Sequence, residues 1–276
     1  MSALALLAVI PPPPGDRLEA GPLTVHYYGI AIALGALVGV TLLRRRYAAR
    51  GGDPDLADRT AVWGVAVGLL GARLAYVSTH LARFVDRPLA VIAIWEGGLA
   101  FFGGLTFGIA MVLWYLRRND GSVADWLDAA APALPLAQAI GRWGNYFNEE
   151  LYGTPSGLPW ALRVTHEPHT VHPTFLYESL LNLVLASLIL LSDRTRDLRR
   201  GSLPFLYLAG YGVIRFGMEL LRTDTDWRLL GISRNGYVAL AVVLIGVVGG
   251  IRWQRRPDDG GGAAAAEAGE SVPPAG

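Results

Sequence analysis

Long apolar stretches, separated by short segments rich in proline, glycine and arginine, run through most of the chain. Crossing the hydrocarbon core of a bilayer takes about 20 mostly apolar residues. Seven stretches reach or approach that length: Leu23–Leu43, Ala61–Thr79, Leu99–Leu116, Trp126–Ile140, Thr174–Leu191, Leu203–Leu221 and Tyr237–Ile251. The third is predicted to begin with a glycine-rich re-entrant piece around Trp95–Gly104. The fourth is short and holds Pro132 and Pro135, so a kinked or broken helix is expected there. The pattern as a whole predicts an all-α, polytopic integral membrane protein of about seven transmembrane helices. Residues 1–22 read as an outer or interfacial segment and 23–252 as the transmembrane domain, with an outer loop region at about 151–172. Residues 253–276, rich in Gly, Ala and Pro, read as a disordered cytoplasmic tail. No internal repeat suggests the plan common among transporters.

Composition sharpens this picture. Of the 276 residues 52% are hydrophobic and only 17% charged, against roughly a quarter charged in a soluble domain. That weighs against a soluble enzyme, a disordered chain or a disulfide scaffold. With no cysteine there is no thiol nucleophile and no thiolate metal site. All 24 basic residues are arginine, which excludes Schiff-base and lysine general-base chemistry. A net charge of +1 gives no footing for a nucleic-acid partner.

Arginine placement sets an orientation. If the N-terminus is outside, fourteen arginines fall on the inner side: Arg44–Arg46, Arg50, Arg59, Arg117, Arg118, Arg194, Arg196, Arg199, Arg200, Arg252, Arg255 and Arg256. Seven fall in the outer segments. The positive-inside rule then predicts N-out, C-in.

An ionisable residue at membrane depth is a functional hypothesis by default, and arginine cannot shed its proton. Four places stand out. Gly141 to Gly153 crowds Arg142, Asn145, Asn148, Glu149 and Glu150 between glycines. That is either a polar site for a phosphate-bearing ligand or an ordinary helix end with snorkelling and capping. Arg215 and Glu219, in Tyr211–Arg222, share one helix face, as a functional pair or a structural ion pair. His26-Tyr27-Tyr28-Gly29 could supply a base, a substrate clamp or interfacial anchors. Arg73 faces either the bundle or the head groups. The glycine pairs Gly97-Gly98 and Gly103-Gly104 either open a cavity or let two helices approach closely. His166, His169 and His172 lack a carboxylate or supporting pattern for a metal, so no metal or cofactor is expected.

Together these motifs resemble the prolipoprotein diacylglyceryl transferases of bacterial inner membranes. The elements are His26-Tyr27-Tyr28-Gly29, Trp95-Glu96-Gly97-Gly98, Gly141 to Gly153, His172 to Glu178 and Tyr211 to Arg222, in the family's order over roughly residues 23–252. The resemblance implies a multi-pass protein of the cell inner membrane with phosphatidylglycerol, membrane lipids and prolipoprotein signal peptides bearing a lipobox cysteine as its partners. It implies transfer of a diacylglyceryl group to the cysteine thiol, forming a thioether and releasing glycerol phosphate. It implies catalytic roles for Arg142, Arg215, Glu150 and Glu219. Arg142, Asn145, Tyr28, His26, Gly153, Tyr211 and Arg73 would bind phospholipid. An anion or lipid transporter and an inactive paralogue are the alternatives. One departure matters: Phe102 stands where many members carry a histidine proposed as a base. Either the arginines lower the thiol pKa instead, or His26, Glu150 or Glu219 serves as base.

Overall fold

The computed structural model describes residues 9–21, 23–222 and 227–256. Among them lie seven long helices: α1 (Tyr27–Ala49), α2 (Pro54–Thr79), α3 (Phe101–Arg118), α4 (Val123–Phe147), α5 (Thr174–Thr195), α6 (Leu203–Leu221) and α7 (Arg234–Gln254). Four of them, α1, α2, α5 and α7, are long and apolar enough to cross a membrane by length and composition. The other three dilute their apolar run with charge or proline: Arg117 and Arg118 in α3, Asp125, Asp128, Pro132, Pro135 and Arg142 in α4, Arg215 and Glu219 in α6. Two small hairpins join the helices. In the first, β1 (Arg17–Ala20) pairs antiparallel with β2 (Leu23–His26). In the second, β3 (Arg228–Leu229) pairs with β4 (Ile232–Ser233).

The apolar side chains face outwards. Leu37, Val62, Val65 and Leu244 are each more than three-fifths exposed. The interior holds alanines and glycines along with Asn182, Glu178 and Glu219. A water-soluble fold would reverse this arrangement. A lipid-facing exterior accounts for it, because small residues then allow the close helix contact that packing in lipid relies on.

Helix α4 is the hub, packing on α1, α5 and α6. It runs antiparallel to α1. Tyr28 lies over Gly144, Gly35 against the backbone of Ala137 and Gly141, and Gly39 against Ala133 and Ala137. At the far end Arg46 Nη2 donates to the Asp128 carbonyl at 3.4 Å. A Cβ on Gly35 would come within 2.6 Å of the Ala137 oxygen, so this crossing requires glycine.

Three expectations are corrected. Leu23–His26 is a strand, and the first helix begins at Tyr27 and runs on to Ala49. Helix α4 is unbroken from Val123 to Phe147 despite Pro132 and Pro135. Proline at 132 deprives the Asp128 carbonyl of its usual i+4 donor, and the Arg46 guanidinium bonds that carbonyl instead. The glycine-rich stretch is divided. Gly97 and Gly98 form a turn with φ of 79° and 73°, but Gly103 and Gly104 sit inside α3 and pack on α2 at Gly71, Gly68 and Ala72. Residues 1–8 and 257–276, which include most of the expected tail, lie outside the described residues.

The end of the bundle away from Arg142 is tied by charge. Asp193 accepts from Arg46 at 3.0 Å and from Arg50 at 2.7 and 2.8 Å. Asp125 pairs with Arg200. Asp128, 5% exposed, accepts the Gly201 and Leu203 N–H groups at 2.7 and 3.0 Å, satisfying donors at the start of α6 that have no helical partner.

The α1–α4 crossing makes a clean test. Gly35→Ala should lower the thermal midpoint in detergent by about 5 °C, since overpacking costs ~1–3 kcal/mol and each kcal/mol moves a domain of this size by ~2–4 °C. Gly217→Ala, with nothing within 4 Å of its added carbon, should leave the midpoint unchanged or slightly raised, as alanine favours helix over glycine.

Candidate active site

The last two turns of α4 carry Arg142 and Asn145, and the chain then turns sharply. Glu149 and Leu151 have φ of 49° and 58°, a conformation that costs non-glycine residues ~1–3 kcal/mol and is common at functional sites. Glu150, held between them, accepts a hydrogen bond from Asn145 Nδ2 at 2.7 Å. Arg142 Nη1 donates to Asn145 Oδ1 at 3.3 Å. Its Nε stands 2.5 Å from Glu178 Oε2. The geometry there is a charge contact rather than an aligned hydrogen bond, as no hydrogen-bond partner meets that oxygen.

A second cluster lies on α6 and the start of α7. Arg215 Nη2 is 2.8 Å from Glu219 Oε2, one turn along the same helix. Glu219 Oε1 accepts from Ser233 Oγ at 2.7 Å and from Asn235 Nδ2 at 3.3 Å. Ser233 also caps α7 by accepting the Gly236 N–H. The two pairs share a design. Each carboxylate side chain is almost fully buried, at 3% and 2%, and each arginine side chain is about one-fifth exposed, at 20% and 21%. Each arginine is thus held from behind by a buried anion. Among the described contacts, Arg142 Nη2 and Arg215 Nε and Nη1 remain available to a second anion.

The loop after α4 joins the clusters. Gly153 N–H donates to the His172 carbonyl at 3.0 Å, and Thr154 N–H to the Leu221 carbonyl at 2.8 Å. Gly153 also pairs across to Arg222 at the end of α6. A Cβ on Gly153 would lie 2.8 Å from His172 Cβ and 3.1 Å from the Leu221 oxygen, so glycine serves the close approach. Thr174 Oγ1 donates to the Leu151 carbonyl at 2.5 Å. This sets the start of α5 so that Glu178, one turn on, reaches Arg142.

The remaining expected residues sort as follows. Tyr28, 36% exposed, packs on Gly144 beside Asn145. His26 is exposed at the start of α1, with no side-chain cap bond. Tyr211 stacks on Tyr207 at 5.7 Å, and Tyr207 accepts from Gln138. Arg73 joins neither cluster, because its guanidinium donates to the carbonyls of Val91, Gly97, Gly98 and Ala90. Phe102 is 67% exposed with its ring edge-on to Phe101. The three loop histidines take separate partners. His166 meets Glu149 at 3.3 Å and the Tyr152 hydroxyl at 2.9 Å, His169 stands near Glu167, and His172 near the Tyr177 hydroxyl.

Sequence reasoning placed Glu149 in the polar stretch after α4 and Glu178 at the end of a family element without giving either a partner, and it did not single out Ser233 or Asn235. Glu178 carried a usable signal, being a carboxylate one turn inside an apolar run, which the cost of intramembrane charge already marks. Ser233 caps α7 and Asn235 lies in its first turn, positions where such residues serve as ordinary caps, and nothing local points to Glu219.

Beside the Arg142 cluster lies an apolar cavity of about 480 Å³ between α1, α4 and α5, lined by Tyr27, Ile30, Leu34, Ile140, Trp143 and Leu183 among others.

The prolipoprotein diacylglyceryl transferase family matches the chain over residues 17–252. The chain belongs to this family. Its relatives include a phosphatidylglycerol–prolipoprotein diacylglyceryl transferase of Frankia alni, 44% identical over 92% of this chain and 70% of that protein. Proteins of the same name from Streptomyces griseus and Corynebacterium efficiens are 41% and 37% identical, each over 88% of this chain and over 77% and 82% of their own lengths. In this family member both arginine–carboxylate pairs fall on elements that the sequence motifs single out.

The loop's anchoring is testable. Glu149 Oε2 accepts from the Thr165 N–H at 3.0 Å and from its hydroxyl, so Glu149→Ala should speed proteolytic cleavage between 155 and 171 by about tenfold, the effect of losing two exposed hydrogen bonds worth together ~1–2 kcal/mol. The Tyr152 phenol donates to Glu167 at 2.9 Å. Burial, with Glu167 and Glu149 adding, pushes it above its ordinary value. Its contribution to the loop is complete below the unfolded phenol's pKa of ~10 and is lost as pH rises through the folded value.

Proposed function

We propose that this chain is a multi-pass protein of the bacterial inner membrane whose seven long helices all cross it, N-terminus outside and C-terminus inside. Four of the helices meet the requirements of a span unaided. The other three carry polar residues that the bundle pairs internally, which supports counting them too. In this orientation the Arg142 and Arg215 clusters lie toward the outer head groups, and the Asp193 and Asp125 latches face the arginine-rich inner side.

The reaction is transfer of the diacylglyceryl group of phosphatidylglycerol to the lipobox cysteine of a prolipoprotein. The cysteine sulfur attacks the glyceryl carbon. A C–S bond forms, the C–O bond to phosphate breaks, and glycerol phosphate leaves with the electron pair. The observation that carries this reading is the matched pair of guanidinium groups, each fixed by a buried carboxylate and each with donors left for a further anion. Charge builds on the phosphate as the C–O bond breaks, and prepositioned charged donors stabilise that state without reorganising. Asn145 and Tyr28, beside Arg142, suit the glycerol head. The apolar cavity between α1, α4 and α5 suits an acyl chain. Glu150 is the carboxylate open to receive the thiol proton, because Glu219 is buried and engaged by Arg215, Ser233 and Asn235. The arginines favour the thiolate by lowering its pKa from ~8.5.

A mass-spectrometric assay tests this. Purified protein with phosphatidylglycerol and a lipobox peptide should add one diacylglyceryl mass to the peptide, and the shift should vanish when the peptide cysteine is replaced by serine. Arg142→Ala and Arg215→Ala should each lower the rate by about 10²–10³-fold in folded protein, the scale of losing one transition-state donor. Glu178→Gln, which keeps the shape but not the charge, should cost about tenfold. Phe102→His should bring no gain, and a large gain would show that a base is missing from the wild-type site. No mass shift from well-folded protein, beside an active relative as control, would refute the proposed reaction.

A further inference from the structure

Outside the two clusters Arg73 is a buried arginine that meets no carboxylate among the described contacts. Arg73 is 6% exposed. It binds the Val91 carbonyl at 2.8 Å, Gly97 at 2.5 Å, Gly98 at 3.0 Å and Ala90 at 2.5 Å. Its guanidinium lies over the Tyr76 and Phe84 rings at 5.9 and 5.4 Å. Carbonyl dipoles and ring faces orient a cation but do not neutralise it, and no described carboxylate pairs with Arg73. Buried positive charge of this kind calls for an anion.

The surroundings form a small pocket of about 40 Å³ whose lining, among the described residues, includes the arginines Arg73 and Arg83, with Arg87, which has a partner of its own, at its edge. Arg83 is exposed and donates to the Tyr76 hydroxyl at 2.9 Å. The lining comes from α2 and the segment 81–98, whereas the Arg142 and Arg215 clusters are built from α4, α5, α6 and the start of α7. The same segment carries a second feature. In its short helical turns Leu81, Val85, Leu89, Ile92 and Trp95 are 64–82% exposed. Such a density of bare apolar side chains would be unstable in water, but suits a segment lying at the boundary of head groups and acyl chains.

We propose that the Arg73 pocket and the segment 81–96 together dock one anionic phospholipid of the outer leaflet, held as a bound lipid and not consumed as substrate. Its phosphate enters the arginine-lined pocket, and its chains lie along Leu89, Ile92 and Trp95. The proposal rests on the membrane-spanning reading above, so the experiment tests the two separately. The chain contains no cysteine, which allows single labels without background. Leu89→Cys and Leu188→Cys, on full-length protein in vesicles of phosphatidylglycerol and phosphatidylcholine, would each carry a spin label, and the depth of each would be read from collisions with oxygen and with a water-soluble nickel chelate. Leu188, 53% exposed within α5, should lie deep, and Leu89 shallow but within lipid. A water-exposed label at Leu188 would overturn the spanning reading itself. A deep Leu188 with a water-exposed Leu89 overturns only the docking segment.

A fluorophore at Leu89→Cys, quenched by spin-labelled phosphatidylglycerol or phosphatidylcholine at equal fraction, reads the head-group preference. The expected ratio is about fivefold in favour of the anionic lipid (about 1 kcal/mol), falling toward one in Arg83→Gln. Equal quenching by the two lipids overturns the phosphate assignment. Loss of the preference on adding millimolar inorganic phosphate at fixed ionic strength would show that the pocket takes a free anion, and overturns the lipid assignment.

Discussion

Arginine keeps its proton in any environment a membrane offers, so each of its charges must be met where it stands. This constraint organises the interior of the bundle. At one end of α4, Arg142 is met by Glu178. On α6, Arg215 is met by Glu219. At the other end of α4, Arg46 and Arg50 are met by Asp193, and Arg200 by Asp125. Every pair except Arg215–Glu219 joins separate elements, so neutralising the charge also fixes how the helices stand relative to one another. Burying such a pair gains little net stability over an apolar core, but removing one partner is costly. Specification of the assembly, more than its stability, is what these pairs supply.

The two ends of α4 handle charge differently, in a way that matches the roles proposed for them. At the latch end the carboxylates are the shared groups. Asp193 takes two arginines, and Asp128 takes two backbone N–H groups. At the other end each arginine has one buried carboxylate behind it and donors in front. A guanidinium held on one side and open on the other is already oriented before its ligand arrives. The entropy of ordering the side chain is met on folding and not on binding. The strained backbone at Glu149 and Leu151 belongs to the same end, where Gly153, Thr154 and Thr174 pin the loop against α5 and α6.

Much of this was legible in the sequence, and the part that was not has a physical cause. The apolar runs located all seven helices, because the requirement to hide backbone polar groups in lipid leaves helix as the sole option for such segments. Arg142, Arg215 and Glu219 stood out because charge is conspicuous in those runs, and the one-turn spacing of Arg215 and Glu219 foretold their contact. The partner of Arg142 was not legible. Glu178 lies 36 positions along the chain, and only the pinning of Leu151 to Thr174 turns that helix so the carboxylate points inward. Proline in α4 pointed to a break that does not occur, since the sequence shows the donor that proline removes but not the Arg46 side chain that replaces it. The divided glycine stretch misled for a similar reason. Gly97 and Gly98 serve a turn, and Gly103 and Gly104 serve a helix contact, and the same residue type marks both.

Phe102 then reads as a consequence of this arrangement more than a defect in it. A base is needed only to the extent that the attacking thiol stays protonated. At pH 7.5 a thiol of pKa ~8.5 is about one-tenth ionised, so full ionisation would gain at most about tenfold in rate. Under the proposed function, two guanidinium groups near the sulfur would shift that equilibrium by Coulomb attraction alone. In the proposed reaction the same two groups would also meet the charge that develops on the departing phosphate, where each donor is worth about 10²–10³-fold. On that proposal the larger part of the barrier would lie with groups that are present and held in place, and the smaller part with a proton that Glu150 would receive. A phenylalanine at position 102 is compatible with an active transferase on that balance.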